Sequence, residues 1–271
     1  AEAGYYVDTN ASIIQTPCSL GTYNANTGST NSSYCIDAEA GYYVGETASI
    51  SQTECALGSW QNQTGQPTCL LAEAGYYVDG TASISQTECA LGSWQNQTGQ
   101  PSCLLAEAGY YVDTNASIIQ TPCSLGTYNA NTGSTSSSYC IDTEAGYYVG
   151  ETASISQTPC AVGSWQYETG QSSCLLAEAG YYVGETASIS QTECVLGSWQ
   201  NQTGQSSCLL AEAGYYVDTN ASIIQTPCSL GTYNANTGST SSSYCIDAGA
   251  GYYVDSTGRN YQTACSSGTY N

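Results

Sequence analysis

The sequence predicts an all-β, loop-rich tandem-repeat rod, a solenoid-like array of modules of about 17 residues stapled by disulfides. Three observations carry this prediction. The same short strings recur along the whole chain, the 15 Cys recur at regular spacings, and no apolar stretch is long. A 271-residue chain of this kind lacks the clustered aliphatic side chains for one large core, so we expect its stability to be local.

The string AEAGYYV and its variants TEAGYYV and AGAGYYV open the repeat unit. Eight units begin at residues 1, 38, 72, 106, 143, 177, 211 and 248. They are spaced 37 or 34 residues apart, and three units make a super-period of 105. Residues 1–271 are therefore interpreted as one continuous repeat array. Because the eighth unit is incomplete at residue 271, we expect the chain to continue beyond it.

Each unit contains two modules, because a Gly-x-aromatic signature occurs twice in it, as in Gly41-Tyr42-Tyr43 and Gly58-Ser59-Trp60. Odd-numbered modules open with Ala or Thr. Even-numbered modules open with Cys at residues 18, 55, 89, 123, 160, 194, 228 and 265, and those at 18, 123 and 228 are three residues longer. Short β-prone runs such as Gly-Tyr-Tyr-Val alternate with turns such as Gln-Thr-Gly, which predicts brief hairpins and almost no helix.

The even modules read Cys-x-x-Gly-x-Tyr/Trp, then a Gly-containing turn, then a second Cys, as in Cys18-Ser-Leu-Gly21-Thr-Tyr23 followed by Gly28-Ser29 and Cys35. This pattern resembles the ephrin-receptor-like and tumour-necrosis-factor-receptor-like cysteine-rich modules of extracellular surface proteins. The resemblance covers the whole chain, although the motif is short. It implies a rod-like extracellular architecture and leaves the specific role open.

The cysteine spacing leaves two pairing schemes open. The family's linking Cys-x-x-Cys is here Cys35-Ile-Asp-Ala38, and the odd modules lack both positions that would pair within them, which favours pairing inside each even module. The rival scheme pairs across odd modules, as in Cys35 with Cys55, at a constant spacing of 20. The intramodule scheme leaves Cys265 unpaired and joins Cys18 with Cys35, Cys55 with Cys69, Cys89 with Cys103, Cys123 with Cys140, Cys160 with Cys174, Cys194 with Cys208, and Cys228 with Cys245.

Two positions in the module have a predicted structural role. Gly at the fourth position of all sixteen modules predicts a positive φ or a close approach of another chain segment. The aromatic residue two positions later is the expected packing anchor. In pairs such as Tyr5-Tyr6 we expect one ring in the core and the other available for lateral contacts with glycans or, by preference, with a second copy of the chain.

Composition excludes several classes of function. The chain has one Lys or Arg, Arg259, against 22 Asp and Glu, a net charge of −21, and no His. It is therefore not expected to bind nucleic acid, and it lacks the usual general base and the imidazole metal ligand, so we predict no enzyme activity, no cofactor and no metal centre. No apolar run is long enough for membrane insertion. Abundant Cys predicts an oxidising, extracellular or cell-surface location.

Seven N-x-S/T sequons predict N-glycosylation of a secreted, turn-rich chain. They lie at Asn10, Asn31, Asn62, Asn96, Asn115, Asn201 and Asn220. O-glycans on the Ser/Thr-rich insertion of the long modules are an alternative, and a plain solvated loop is another.

Acidic residues recur at fixed positions. Two interpretations are open: the carboxylates bind structural calcium between modules, or they serve only as solvating surface charge. No Asp-x-Asp-x-Asp-Gly loop is present, so solvating charge is preferred. The residues are Glu2, Glu39, Glu73, Glu107, Glu144, Glu178 and Glu212, with Asp8, Asp113 and Asp218 in Asp-Thr-Asn triplets and Asp37 and Asp142 ahead of odd modules.

The near-identity of the repeats predicts a structural subunit of an extracellular, glycosylated filament or surface stalk that self-associates into filaments or bundles. A receptor for one ligand needs a module that differs from the rest, and the three super-periods differ by little more than Asn31 against Ser136 or Asn62 against Tyr167. The alternative is the stalk of an adhesin or receptor ectodomain that binds carbohydrate or protein through another domain.

Overall fold

The computed structural model describes residues 1–269 and contains fifteen two-stranded antiparallel hairpins, one for each of modules 1 to 15. This confirms the predicted all-β, disulfide-stapled tandem repeat. The paired strands are Tyr5–Tyr6 with Thr16–Pro17, Thr22–Tyr23 with Ile36–Asp37, Tyr42–Tyr43 with Thr53–Glu54, Ser59–Trp60 with Leu70–Leu71, Tyr76–Tyr77 with Thr87–Glu88, Ser93–Trp94 with Leu104–Leu105, Tyr110–Tyr111 with Thr121–Pro122, Thr127–Tyr128 with Ile141–Asp142, Tyr147–Tyr148 with Thr158–Pro159, Ser164–Trp165 with Leu175–Leu176, Tyr181–Tyr182 with Thr192–Glu193, Ser198–Trp199 with Leu209–Leu210, Tyr215–Tyr216 with Thr226–Pro227, Thr232–Tyr233 with Ile246–Asp247, and Tyr252–Tyr253 with Thr263–Ala264.

Helical structure within residues 1–269 is confined to the three longer modules. Their three extra residues form short 3₁₀ turns at Ser32–Tyr34, Ser137–Tyr139 and Ser242–Tyr244. The insertion is therefore accommodated in the hairpin loop, and the strand register of the long modules equals that of the short ones. Tyr23 faces Ile36 in the first long module as Trp60 faces Leu70 in the next even module.

The described residues divide into two compact units. The first comprises Ala1–Cys123 with Asn129–Cys140, and the second comprises Ser124–Tyr128 with the residues from Ile141 onward. Within each unit the same contacts recur from module to module.

Within modules 1 to 8 and within modules 9 to 15, consecutive modules are joined by three backbone hydrogen bonds. Between modules 3 and 4, Gly41 N–H donates to the Gln61 carbonyl (2.7 Å), Val44 N–H to the Gln66 carbonyl (3.1 Å), and Gly65 N–H to the Ala38 carbonyl (2.8 Å). Each two-residue strand pair is too short to be stable alone, so within these two runs the bonds stabilise each module against its neighbours, as in other repeat proteins.

The glycine at the fourth position has a positive φ in all sixteen modules, between 79° and 94°. In twelve of the modules it also lies against the module two places further on; in module 4, for example, a Cβ on Gly58 would stand 2.0 Å from the carbonyl oxygen of Gly99. Both halves of the prediction for this position are confirmed. Any side chain there would force the modules apart.

The core is thin and is built from small side chains. The first residue of modules 2 to 14 is at most 1% exposed, and in the odd modules Ala or Thr occupies the place of the even modules' buried Cys. Val residues such as Val44 and Val78 supply the rest, at 2 and 3% exposed. The aromatic residues expected to anchor the packing are only half-buried, as Tyr43 and Trp60 illustrate.

Seven disulfides close even modules, and each joins two cysteines that are 14 or 17 residues apart. They are the seven pairs of the intramodule scheme: Cys18–Cys35, Cys55–Cys69, Cys89–Cys103, Cys123–Cys140, Cys160–Cys174, Cys194–Cys208 and Cys228–Cys245. The rival pairing of Cys35 with Cys55 is not found. Each loop constrains the unfolded chain by about 3 kcal/mol in the entropic account.

Candidate functional surface

The odd modules hold their ends together with a side-chain clamp instead of a disulfide. In module 3, Gln52 occupies the position of the second Cys, and its Oε1 accepts from the backbone N–H of Glu39 (2.8 Å) while its Nε2 donates to Glu39 Oε2 (3.1 Å). We call this reciprocal pair the Glu–Gln clamp. It recurs as Glu2–Gln15, Glu73–Gln86, Glu107–Gln120, Glu144–Gln157 and Glu178–Gln191.

The clamp accounts for the recurrent glutamates in structural terms. In module 13 Gln225 accepts from the backbone N–H of Glu212. In module 15 Gln262 accepts from the backbone N–H of Gly249, so the backbone half of the clamp persists where there is no carboxylate. The aspartates of the Asp-Thr-Asn triplets are exposed. Among residues 1–269 no three His, Cys, Asp or Glu side chains come together in a group able to hold a metal ion.

All seven sequon asparagines are exposed, but their side chains differ in their contacts. Asn31 caps the first 3₁₀ turn by accepting from Ser33 N–H (3.0 Å). Asn115 and Asn220 donate through Nδ2 to Glu88 and Glu193 two modules earlier, at 3.3 and 3.2 Å. The side chains of Asn62, Asn96 and Asn201 make no hydrogen bond within the described part of the chain. These three share the eighth position of short even modules.

The tyrosine pairs do not divide into a core ring and an outer ring. In the seven odd modules from module 1 to module 13 both tyrosines of the pair are half-buried, and in module 15 both are exposed. The expectation of one core tyrosine per pair is wrong, because the space it would fill is only one small side chain deep and is taken by Cys, Ala and Val. Both rings of each pair therefore reach the surface.

Every Leu and every Ile of the chain is exposed. All 14 Leu and 13 Ile retain at least 44% of their accessible surface, whereas the buried positions belong to smaller residues. In the short even modules these side chains stand at the third position and on the closing strand. Monomeric soluble proteins rarely expose so regular a set of large aliphatic side chains, and such surfaces mark contact sites.

One of these apolar surfaces forms a shallow groove. In module 12 the groove has a volume of about 320 Å³. It is lined by Leu196, Leu210 and the disulfide-bonded Cys208, with Tyr182 from the preceding module. The last residue of the groove's closing strand lies against a glycine two modules further on, as Leu71 lies against Gly99. We call the position of Leu71, Leu105, Leu176 and Leu210 the groove-leucine position.

The groove-leucine position is acidic once in each super-period. Asp37, Asp142 and Asp247 occupy it in the three long modules. Asp37 packs against Gly65 as Leu71 packs against Gly99, so the backbone accepts either side chain. The same surface therefore alternates one acidic position with two apolar positions.

Two other reactive groups lie in modules 15 and 16. Arg259 forms a surface ion pair with Asp255 (3.0 Å) and lies over the ring of Tyr261, 5.4 Å from its centroid. Cys265 is a free, half-buried cysteine in module 16.

Sequence reasoning missed three features that carry a visible signal. Gln stands at the fifteenth position of all eight odd modules, where it forms the clamp. An amide, Asn or Gln, stands at the seventh position of every even module up to module 14, and the buried Asn24 there donates to the Tyr5 carbonyl (3.1 Å) and to Ser29 Oγ (2.8 Å). Ala or Gly fills the eleventh position of fifteen modules, and Ala48 has φ 59° there.

No protein-family model matches the sequence, and a search of curated proteins finds no similar one. Within residues 1–269 no helical segment has the length and hydropathy that crossing a bilayer requires. The seven disulfides indicate an oxidising environment of the kind found outside the cell. The chain is thus a tandem cysteine-rich protein of the extracellular type.

Proposed function

We propose that this chain is a structural subunit of an extracellular, glycosylated filament or surface stalk, and that copies of it associate laterally through the exposed Leu and Ile rows. The observation that carries the proposal is that all 14 Leu and 13 Ile are exposed and recur with the repeat. A second copy presents the same rows at the same spacing, so each contact made by one module is repeated by the next.

The charge of the chain supports an apolar contact between copies. With a net charge of −21 and a single Arg, two copies have almost no cations with which to pair their carboxylates. Electrostatic attraction between copies is therefore weak, and burial of aliphatic surface is the favourable term that remains, at about 25 cal/mol per Å². Asp37, Asp142 and Asp247 recur once in each super-period. An alignment of two copies that places these carboxylates against leucines or against each other is unfavourable, so the recurrent acidic position favours one defined register between the copies.

The equivalence of the modules also supports a structural role. Within modules 1 to 8 and within modules 9 to 15, each module contacts the next through the same backbone bonds, and among the described residues no module carries a group of side chains able to hold a metal ion. Length and stiffness are what such repetition supplies. We accordingly assign the chain to structural proteins and not to enzymes.

Electron microscopy of native, untagged material tests this function. We expect continuous filaments with an axial repeat of two modules or of six, which correspond to the structural unit and the super-period. Isolated rods that carry a globular head would instead indicate the stalk of an adhesin or receptor, and the filament proposal would then be abandoned.

A matched pair of variants tests the lateral contact itself. The triple variant L71D/L105D/L210D places Asp where the long modules already have it, so the module fold is retained. The control Q63E/Q97E/Q202E adds the same three charges at an exposed position where module 10 already has Glu168. In sedimentation velocity we expect the leucine variant to lose association and the control to keep it. Equal behaviour of the two variants would contradict a contact through the groove-leucine position.

A further inference from the structure

The four tryptophans of the short even modules have a partly exposed ring whose polar atom is hidden. All four side chains are half-buried, yet the Nε1 atom of each is buried and has no hydrogen-bond partner within residues 1–269. The residues are Trp60, Trp94, Trp165 and Trp199. The exposed part of each side chain is therefore hydrocarbon. A flat apolar ring at the surface is suited to stacking with another ring or with the C–H face of a sugar.

In module 10 the chain covers this ring itself. Tyr167 lies two residues after Trp165, with ring centroids 5.6 Å apart and an interplanar angle of 31°. Such an aromatic pair contributes beyond the area that it buries. In the other three short even modules, the residue at the Tyr167 position is the sequon asparagine: Asn62, Asn96 or Asn201.

The backbone holds these asparagines in the same position and orientation as Tyr167. Gln166 N–H donates to the Ser188 carbonyl and Gln61 N–H to the Ser83 carbonyl, both at 3.0 Å. Each glutamine also accepts through Oε1 from the N–H two residues later, at 3.1 Å in both modules. A group attached to Asn62 therefore starts from the place at which the Tyr167 side chain starts, beside the tryptophan two residues before it.

We propose that Asn62, Asn96 and Asn201 carry N-linked glycans whose first sugar covers the ring of the preceding tryptophan, in the place that Tyr167 takes over Trp165. The inference rests on the glycosylation included in the proposed function. Among the seven sequons, these three have a tryptophan two residues before the asparagine. Their amides are exposed and make no hydrogen bond within the described residues, whereas Asn115 and Asn220 donate to carboxylates.

The modification is an ordinary transfer from a lipid-diphosphate-linked oligosaccharide in the secretory pathway. A bond forms between the asparagine Nδ2 and the anomeric carbon of the sugar, and the bond from that carbon to the diphosphate oxygen breaks. The diphosphate keeps the electron pair, and Nδ2 gives up one proton and retains the other.

Module 10 supplies the test, because Y167N creates the sequon Asn-Glu-Thr at residues 167–169. Y167A removes the stacked ring without creating a sequon, and N62Y replaces a sequon by the ring. The full chain and these variants are expressed in a secretory host that performs N-glycosylation. Glycopeptide mass spectrometry then gives the occupancy of each sequon, and amide hydrogen exchange gives the protection of each module before and after enzymatic removal of the glycans.

We expect Asn62, Asn96 and Asn201 to be occupied, and Y167N to gain one glycan. Removal of the glycans accelerates exchange in the three asparagine modules by about two- to tenfold, the range of an aromatic contact, and leaves module 10 of the unaltered chain unchanged. Y167A accelerates exchange in module 10 by a similar factor, whereas Y167N and N62Y keep their modules protected.

Two results overturn the inference in different ways. Empty sequons at all three positions overturn this inference, while the occupancy of the other sequons and microscopy decide the glycan and filament components of the proposed function separately. Occupied sequons whose modules exchange at the same rate with and without the glycan refute the contact with tryptophan and leave glycosylation in place.

Discussion

The Glu–Gln clamp predicts that a disulfide can be introduced into an odd module. Module 5 opens with the fully buried Ala72, and Gln86 follows it by 14 positions, the separation of Cys55–Cys69 and Cys89–Cys103. The strand register is also shared, since Tyr77 faces Thr87 as Trp94 faces Leu104 in the next module. The variant A72C/Q86C therefore places two cysteines where the even modules join theirs, with a Cα separation close to 5.8 Å.

The expected gain follows from the loop length and the lost clamp. Closing a loop of about 15 residues is worth about 3 kcal/mol in the entropic account. Loss of the two exposed hydrogen bonds between Gln86 and Glu73 costs about 1 kcal/mol. The net stabilisation of module 5 is then about 2 kcal/mol, which slows exchange of an amide that opens with the module by about thirtyfold.

The amide of Val78 reports this opening, because it donates to the Gln100 carbonyl of the next module (3.1 Å). Native-state hydrogen exchange of A72C/Q86C is compared with that of A72S/Q86S, which loses the clamp and forms no bond. Thiol titration of the folded variant should still find one free cysteine, Cys265. Three free thiols, or unchanged exchange at Val78 despite a formed bond, would refute the equivalence of odd and even modules.

Other substitutions test the backbone and the pairing. Ala48→Gly relieves a residue held at φ 59° and should stabilise module 3 by about 1 kcal/mol in hydrogen exchange. Gly58→Ala combines a positive φ with a carbonyl oxygen 2.0 Å from the new methyl group, and it should destabilise the fold by more than about 2 kcal/mol. Gly45→Ala, at an ordinary φ, serves as the near-neutral control. Comparable melting temperatures of the two variants would contradict the close approach at Gly58. Non-reducing peptide mapping should recover Cys55 linked to Cys69, and a peptide joining Cys55 to Cys35 would rule out the intramodule pairing.

Much of the local structure followed from the repeat pattern because its causes lie within one module. Gly at the fourth position and a hairpin between strands of two residues are local requirements, visible in every copy. The joint absence of two cysteines from odd modules favoured pairing inside even modules, and the structure has those pairs. The side chain of Gln52 took the place of the missing cysteine, a substitution that the sequence shows but whose geometry it does not.

The burial of large and small side chains was not predictable in the same way. Sequence reasoning placed one tyrosine of each pair in a core, but the modules approach so closely that Cys18 and Ala38 fill the interior and the larger side chains remain outside. The approach is set by the glycines, which bring the chain within contact of a module two places away. Composition alone does not reveal so short a distance.

The sequence by itself determined the repeat, its two alternating kinds of module, the hairpins and the glycine positions, because each depends on residues near one another in the chain. Only the tertiary structure decided that every Leu and Ile lies outside, that Gln52 clamps Glu39, and that Ala48 adopts a left-handed conformation. The clamp joins the two ends of one module, and the other two features arise where modules meet through space. There the spacing between backbones, and not the identity of any one residue, determines which side chains fit inside.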